Sequence, residues 1–184
     1  MIPSIVIERG TRNPDVEGLA RARGWNEIVV KPTISGSAYR THRFHLADAH
    51  KHADEIALTL RDRGVLIQPF LPEILTEGEL SLLFFDGEFS HAVCKRPKAG
   101  DYRVQFNFGG TSATVEARPE WIRGARACID VAPSLPTYAR VDGVNVNGTF
   151  MLMELEIFEP LMFLSRHPAA PGRFALAIQR KLRA

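Results

Sequence analysis

Hydrophobic positions along the chain follow two rhythms. Short apolar or alternating runs at 2–8 (IPSIVIE), 26–32 (NEIVVKP), 39–45 (YRTHRFH) and 65–70 (VLIQPF) predict strands. Pro32 ends the second of these, and the third alternates as an edge strand does. Two longer stretches predict hairpins. The first, 79–96 (ELSLLFFDGEFSHAVCKR), turns at Asp86-Gly87; the second joins 137–144 (TYARVDGV) to 150–158 (FMLMELEIF) across NVNG. Helical spacing governs 13–24, closed by Gly24, and 48–64, where Asp48 is a candidate cap. Ala49, Ala53, Ile56 and Leu60 form the inner face of that second helix. Helices are also expected at 119–132, with Pro119 in the first turn, and at 172–184 as a closing amphipathic element. Residues 97–111 read as a basic, glycine-bearing loop with room for a short strand.

Strands and helices mix without strict alternation, and neighbouring strands are joined as hairpins. That is an α+β pattern with a largely antiparallel sheet. At 184 residues the chain suits one moderate domain or two small lobes, and 45% hydrophobic content with 11 Phe is enough for a core. The net charge of +2, from 23 basic and 21 acidic residues, gives no argument for bulk nucleic-acid binding. Cys94 and Cys128 sit in apolar contexts and are expected to be reduced core residues, as in a cytoplasmic protein. No signal peptide is evident, and Glu154, Glu156 and Glu159 interrupt the most apolar run, so no membrane association is expected.

Those glutamates raise a physical question. Glu154 and Glu156 are two apart in a predicted strand and so face the same way. Like charges side by side near a core are costly unless the face is solvated or a cation lies between them. The partner strand carries Asp142. A two-residue loop at Asn147-Gly148 pairs Asp142 with Met153 and turns it away from Glu154. A three-residue loop, with Gly148 in a left-handed bulge, puts Asp142, Glu154 and Glu156 on one face, an all-oxygen set suited to Mg²⁺. Lys31 ends an apolar strand beside Thr33, Ser35, Gly36 and Ser37, a loop able to hold phosphate, although no P-loop pattern occurs. Lys95, Lys98 and Arg103 mark the basic loop, with Gly100, Gly109 and Gly110 for mobility. His42, His45, His50 and His52, with Asp48, form a rival candidate for zinc.

The order of these motifs resembles the ATP-grasp superfamily of carboxylate–amine ligases, most of all its glutathione-synthetase and ribosomal-protein glutamate-ligase branch. GELSLLFFDGEFSHAVCKRPKAGDYRVQFNFGGT, then ARVD and LMELEIFEP, is also similar to the cyclo-ligases that close the cycloserine ring. The resemblance runs from Ile2 to the last helix. It implies two lobes, 1–70 and 71–184, whose antiparallel sheets sandwich ATP. Lys31 would contact the phosphates, Gln68, Pro69, Phe70 and Leu71 the adenine edge, and Glu79 the ribose. Arg103 would lie near the γ-phosphate as the catalytic cation. Asp142, Glu154 and Glu156 would ligate Mg²⁺ or Mn²⁺; the last position is commonly Asn in the family.

The implied reaction joins a small-molecule carboxylate to an amine, or closes a ring, through an acylphosphate. Family members usually carry a preceding domain of about a hundred residues that helps bind substrate. Its absence here leaves open a fragment, a separate substrate-binding domain or homo-oligomer, or an ATP-binding module without independent catalysis.

Overall fold

The structure, a computed structural model, describes residues 1–183; the final position of the expected closing helix, residue 184, lies outside them. The chain divides into two compact units, Ile2–Leu71 and Pro72 onward.

The first unit is a four-stranded antiparallel sheet of β1 (Ile5–Ile7), β2 (Glu27–Pro32), β3 (His42–His45) and β4 (Val65–Pro69), in the order β1-β4-β2-β3. Along β2, Ile28, Val30 and Pro32 are buried and alternate with half-buried Glu27, Val29 and Lys31. One sheet face therefore builds the core with α1 (Val16–Arg21) and α2 (Ala53–Asp62), through Ala20, Ile56 and Leu60, while Lys31 points to the other face. α1 begins later than periodicity suggests. Asp15 caps it by accepting a hydrogen bond from Gly18 N at 2.8 Å, leaving Asn13 and Pro14 outside.

The predicted helix at 48–64 is two elements: a 3₁₀ segment, Leu46–His52, and then α2. Asp48 is not a cap, because its carboxylate pairs with Lys51 at 2.6 Å inside the 3₁₀ segment. Three residues per turn bring Leu46 and Ala49 inward and leave Ala53 exposed, so the inner face is re-phased before Ile56.

The second unit is a five-stranded antiparallel sheet. Its strands are β5 (Glu79–Phe85), β6 (Glu88–Arg96), β7 (Thr111–Val115), β8 (Tyr138–Val146) and β9 (Thr149–Glu156), in the order β7-β6-β5-β8-β9. Short helix α3 (Glu73–Thr76) leads into it. Every residue of central β5 is buried. One face packs Leu80, Leu82, Phe84 and Val141 against Trp121, Ala125 and Ile129 of α4 (Pro119–Ile129), which starts on Pro119 as expected. The other face packs Leu83 and Phe85 against Ala170, Phe174 and Ala177 of α5 (Ala170–Arg183). At the Asp86-Gly87 turn both residues have positive φ, 52° and 75°, which matches the twist of a tight hairpin. Cys94 and Cys128 are free thiols.

The last hairpin resolves the register question by a route that neither loop length anticipates. The turn is the two-residue one, with Val146 opposite Thr149 and Asn147 and Gly148 both left-handed. The odd residue sits inside the strand. Gly143 pairs with Leu152 but Asp142 pairs with Glu154, so Met153 is bulged out. Phe150 and Leu152 before the bulge, and Leu155 and Ile157 after it, all reach the α4 core. Glu154 and Glu156 are thereby turned to the opposite face, beside Asp142. Gly143 makes the close approach possible. A Cβ there would lie 2.4 Å from the Phe150 ring and 2.7 Å from the Met151 carbonyl oxygen.

Gly143→Ala should therefore destabilise the protein by about 1–3 kcal/mol, the usual cost of overpacking. The readout is a lower urea midpoint at unchanged denaturant slope; an unaltered midpoint would contradict the account of the bulge.

Candidate functional site

Four strands of the second sheet carry the polar groups of this site. Ser81 on β5 pairs with Asp142 on β8, which pairs with Glu154 on β9; two residues along, Arg140 pairs with Glu156. On the other side Glu79 of β5 pairs with Lys95 of β6. Alternation in each strand puts these side chains on one face, at the end of the sheet away from the Leu83–Phe85 contacts with α5.

Asp142 is the centre, 2% exposed. Ser81 Oγ donates to its Oδ1 at 2.5 Å, Lys95 Nζ to Oδ2 at 3.0 Å, and the Arg140 guanidinium to both oxygens. Arg140 also bonds Glu156, and Lys95 Nζ lies 2.5 Å from Glu79 Oε1. Burial alone would push the Asp142 carboxyl up, but Lys95 and Arg140 outweigh it and hold the group below its ordinary value. The two cations are in turn held charged by the carboxylates facing them, against the opposing effect of burial. Glu79 and Glu156 shift the other way. For both, burial outweighs the attraction of Lys95 or Arg140 and raises the proton affinity.

Glu154 is exposed and has no ion pair among the described residues. Asp142, Glu154 and Glu156 each bring an oxygen within 4.8 Å of the others. Opposite corners of an octahedron with ~2.1 Å bonds are about 4.2 Å apart, so small rotamer changes suffice to close around Mg²⁺. Charge points the same way. Among the described residues, the cations paired with Glu79, Asp142 and Glu156 are Lys95 and Arg140, and Glu154 has none; with all four carboxylates ionised, the shortfall equals one divalent cation. The donor set therefore fits the metal.

The remaining candidates have surroundings of their own. Arg103 makes a two-pronged pair with Asp101, at 3.0 and 2.8 Å, and stacks 3.7 Å from the Phe108 ring centroid. Asp101 is held well below the usual carboxylate range, first by the Arg103 side chain and then by its backbone N–H. Lys31 and Gln68 belong to the first unit, on the sheet face opposite its helices; Gln68 donates to Ser4 Oγ at 2.8 Å. Pro69 ends β4, and Phe70 lies under the Arg43 guanidinium, 3.6 Å from its ring centroid. Leu71 closes that unit.

Lys95, expected on the basic loop, is a strand residue inside the acidic cluster. Arg140 and Ser81 lie within the ARVD and GELS segments but were given no role. The cue available for Arg140 was its i+2 spacing from Asp142, which places a cation on the acidic face. Of the four histidines, His45 and His50 are exposed and drop out of the zinc candidate along with Asp48, whereas His42 and His52 do approach each other, joined by Glu55. Burial, ahead of the pull of Glu55, lowers the proton affinity of His42.

Residues 11–163 match the family described as the prokaryotic glutathione synthetase ATP-grasp domain. The chain is 27% identical over 199 residues to the cycloserine biosynthesis protein DcsG of Streptomyces lavendulae, spanning 100% of this chain and 65% of that protein. It is 33% identical over 138 residues to a glutathione synthetase of Prochlorococcus marinus (strain MIT 9313), spanning 73% of this chain and 41% of the relative. Among solved structures, D-cycloserine synthetase DcsG superposes with a TM-score of 0.86 at 26% identity, over 99% of this chain and 65% of that one. A D-alanine–D-alanine ligase from Bacillus anthracis complexed with ATP shares the fold, with a TM-score of 0.72 at 20% identity over 100% of this chain and 60% of that one.

The raised proton affinity of Glu156 sets a pH dependence. A carboxyl group that binds its proton more tightly when folded favours folding at low pH. That benefit is lost as pH rises from the ordinary Glu range, about 4.3, through the raised folded value. Glu156→Gln removes this slope. In chelator, the stability of the variant relative to the parent should improve as pH rises from about 4 and then level off above the folded value. Urea unfolding at several pH values checks it, and a constant difference would refute the assignment.

Proposed function

We propose, from the premise that this chain belongs to the prokaryotic glutathione synthetase ATP-grasp family, that it is an ATP- and Mg²⁺-dependent module joining a carboxylate to an amine through an acylphosphate. The observation carrying this reading is the convergence of Asp142, Glu154 and Glu156 on one face with a charge deficit of one divalent cation. Bound there, Mg²⁺ would neutralise phosphate oxygens and act as a Lewis acid toward the transferred phosphoryl group.

The protein groups have distinct tasks. Ser81, Lys95 and Arg140 keep Asp142 ionised and oriented, which suits it to serve as a buried ligand. Glu79 meets Lys95 through Oε1, which leaves its second oxygen to accept a ribose hydroxyl. Lys31 would pair with phosphate oxygens, and the backbone of Gln68, Pro69, Phe70 and Leu71 would read the adenine edge. Arg103 would exchange Asp101 for the γ-phosphate. The substrate carboxylate oxygen forms a bond to the γ-phosphorus as ADP leaves. The amine then bonds to the acyl carbon, inorganic phosphate departs and the ammonium proton passes to solvent. Both steps bring anions together, so fixed cations rather than a protein nucleophile supply the catalysis.

A second reading is an ATP-binding module that turns over only with a separate substrate-binding partner. It is supported by the span of the match, 65% and 41% of the two relatives' lengths. ADP release with panels of carboxylates and amines separates the two: turnover by this chain alone supports the first, and ATP binding without turnover supports the second.

Lys31→Ala should weaken ATP binding about tenfold or more, the loss of one charged hydrogen bond, as read by calorimetry. Glu154→Gln should remove most of the Mg²⁺-dependent gain in ATP affinity while leaving metal-free stability intact. Arg103→Ala should lower turnover more than ATP affinity, since its charge matters most as the acylphosphate forms. Normal affinity in the first two variants, or normal turnover in the third, would remove the corresponding role.

A further inference from the structure

Helix α2 and edge strand β3 bring together a second constellation that the ligase chemistry does not use. His42 opens β3, opposite Val30 of β2. His52 closes the 3₁₀ segment, and Glu55 stands one turn further on, in the first turn of α2. All three belong to the unit Ile2–Leu71. His42 Nε2 lies 3.3 Å from Glu55 Oε2, and His52 Nδ1 lies 3.7 Å from the same oxygen. One donor atom from each residue falls within 4.8 Å of the others.

We propose that His42, His52 and Glu55 form a binding site for a divalent ion of the Zn²⁺ class, which pins the edge strand to the helix. Tetrahedral zinc with 2.0–2.1 Å bonds sets its ligand atoms about 3.3 Å apart, close to both spacings here. The His52 ring is already oriented, stacked on Phe44 with centroids 4.1 Å apart and planes 12° from parallel. Its Nδ1 is buried and makes no hydrogen bond. A buried ring nitrogen of this kind ordinarily finds a partner, and at 3.7 Å Glu55 is beyond hydrogen-bond reach. A metal ion at the point of convergence would satisfy it. Two imidazoles with one carboxylate select a borderline cation over Mg²⁺, unlike the all-oxygen set of Asp142, Glu154 and Glu156. Glu55 is exposed, so water can complete the coordination.

The ion would have a mechanical consequence. The segment between Lys31 and His42 holds Ser37, Ala38 and Arg40 at positive φ, 52°, 57° and 51°. Such backbone persists only where its surroundings hold it, and the metal would clamp its far end.

The experiment titrates Zn²⁺ into the purified, chelator-stripped full chain against a chromophoric chelator, with Co²⁺ absorption as a second readout. One Zn²⁺ should bind per chain with micromolar or tighter affinity, and the Co²⁺ spectrum should show nitrogen ligation. Glu55→Gln, a surface change that spares the core, should weaken Zn²⁺ at least tenfold, as should His42→Gln and His52→Gln. Glu154→Gln should leave it unchanged. The proposal is overturned if no such Zn²⁺ binds, if binding survives Glu55→Gln and His42→Gln, or if Glu154→Gln abolishes it instead. Because the readout is metal binding in the first unit, failure here leaves the ligase reading standing, and the reverse also holds.

Discussion

A buried carboxylate with three hydrogen-bonded partners organises the second unit. Asp142 is almost wholly removed from water, a position a charge can hold only when it is paired and hydrogen-bonded. Its partners come from three strands: Ser81 from the central one, Lys95 from one neighbour and Arg140 from its own. Each is useful only if strand registers are correct to a single residue. The polar cluster therefore demands one alignment of β6, β5, β8 and β9, and the apolar contacts on the reverse face with α4 demand the same one.

Both demands are met because Met153 is left over. Without an extra residue, Phe150, Leu152, Glu154 and Glu156 would alternate onto one face, and the acids would enter the α4 core. With it, aliphatic side chains before and after the bulge serve the core, and the glutamates join Asp142. Phase in an otherwise regular ladder has been traded for a site, a common use of bulges near functional groups.

Much of this architecture was legible beforehand. The strands other than β7, the Asp86-Gly87 hairpin and the Pro119 helix start follow from local pattern and turn chemistry; β7, at Thr111–Val115, falls past the loop in which only a short strand was expected. The jump from Leu152 to Leu155 in FMLMELEIF was the visible trace of the bulge, but Met is apolar on either face and hid the phase change. What was not read was compensation. Arg140 and Lys95 look like ordinary surface cations until strand pairing sets them against Asp142. Asp48 misled for a related reason: a good capping residue does not cap when a nearby lysine holds its carboxylate and the first turns wind as a 3₁₀ segment. Residue types advertise chemistry, whereas pairing across strands decides which chemistry is available.

The reach of Arg140 to both Asp142 and Glu156 bears on the order of events in the life of the molecule. In many small metalloproteins the ligands repel until the ion arrives, so chain and metal must assemble together. Here a guanidinium already quiets Asp142 and Glu156. On the proposed reading of the site, folding and metallation are thereby uncoupled: the chain would reach its native state without the ion and load later. Affinity for the metal would then need only be high enough for the working cycle, not high enough to drive folding.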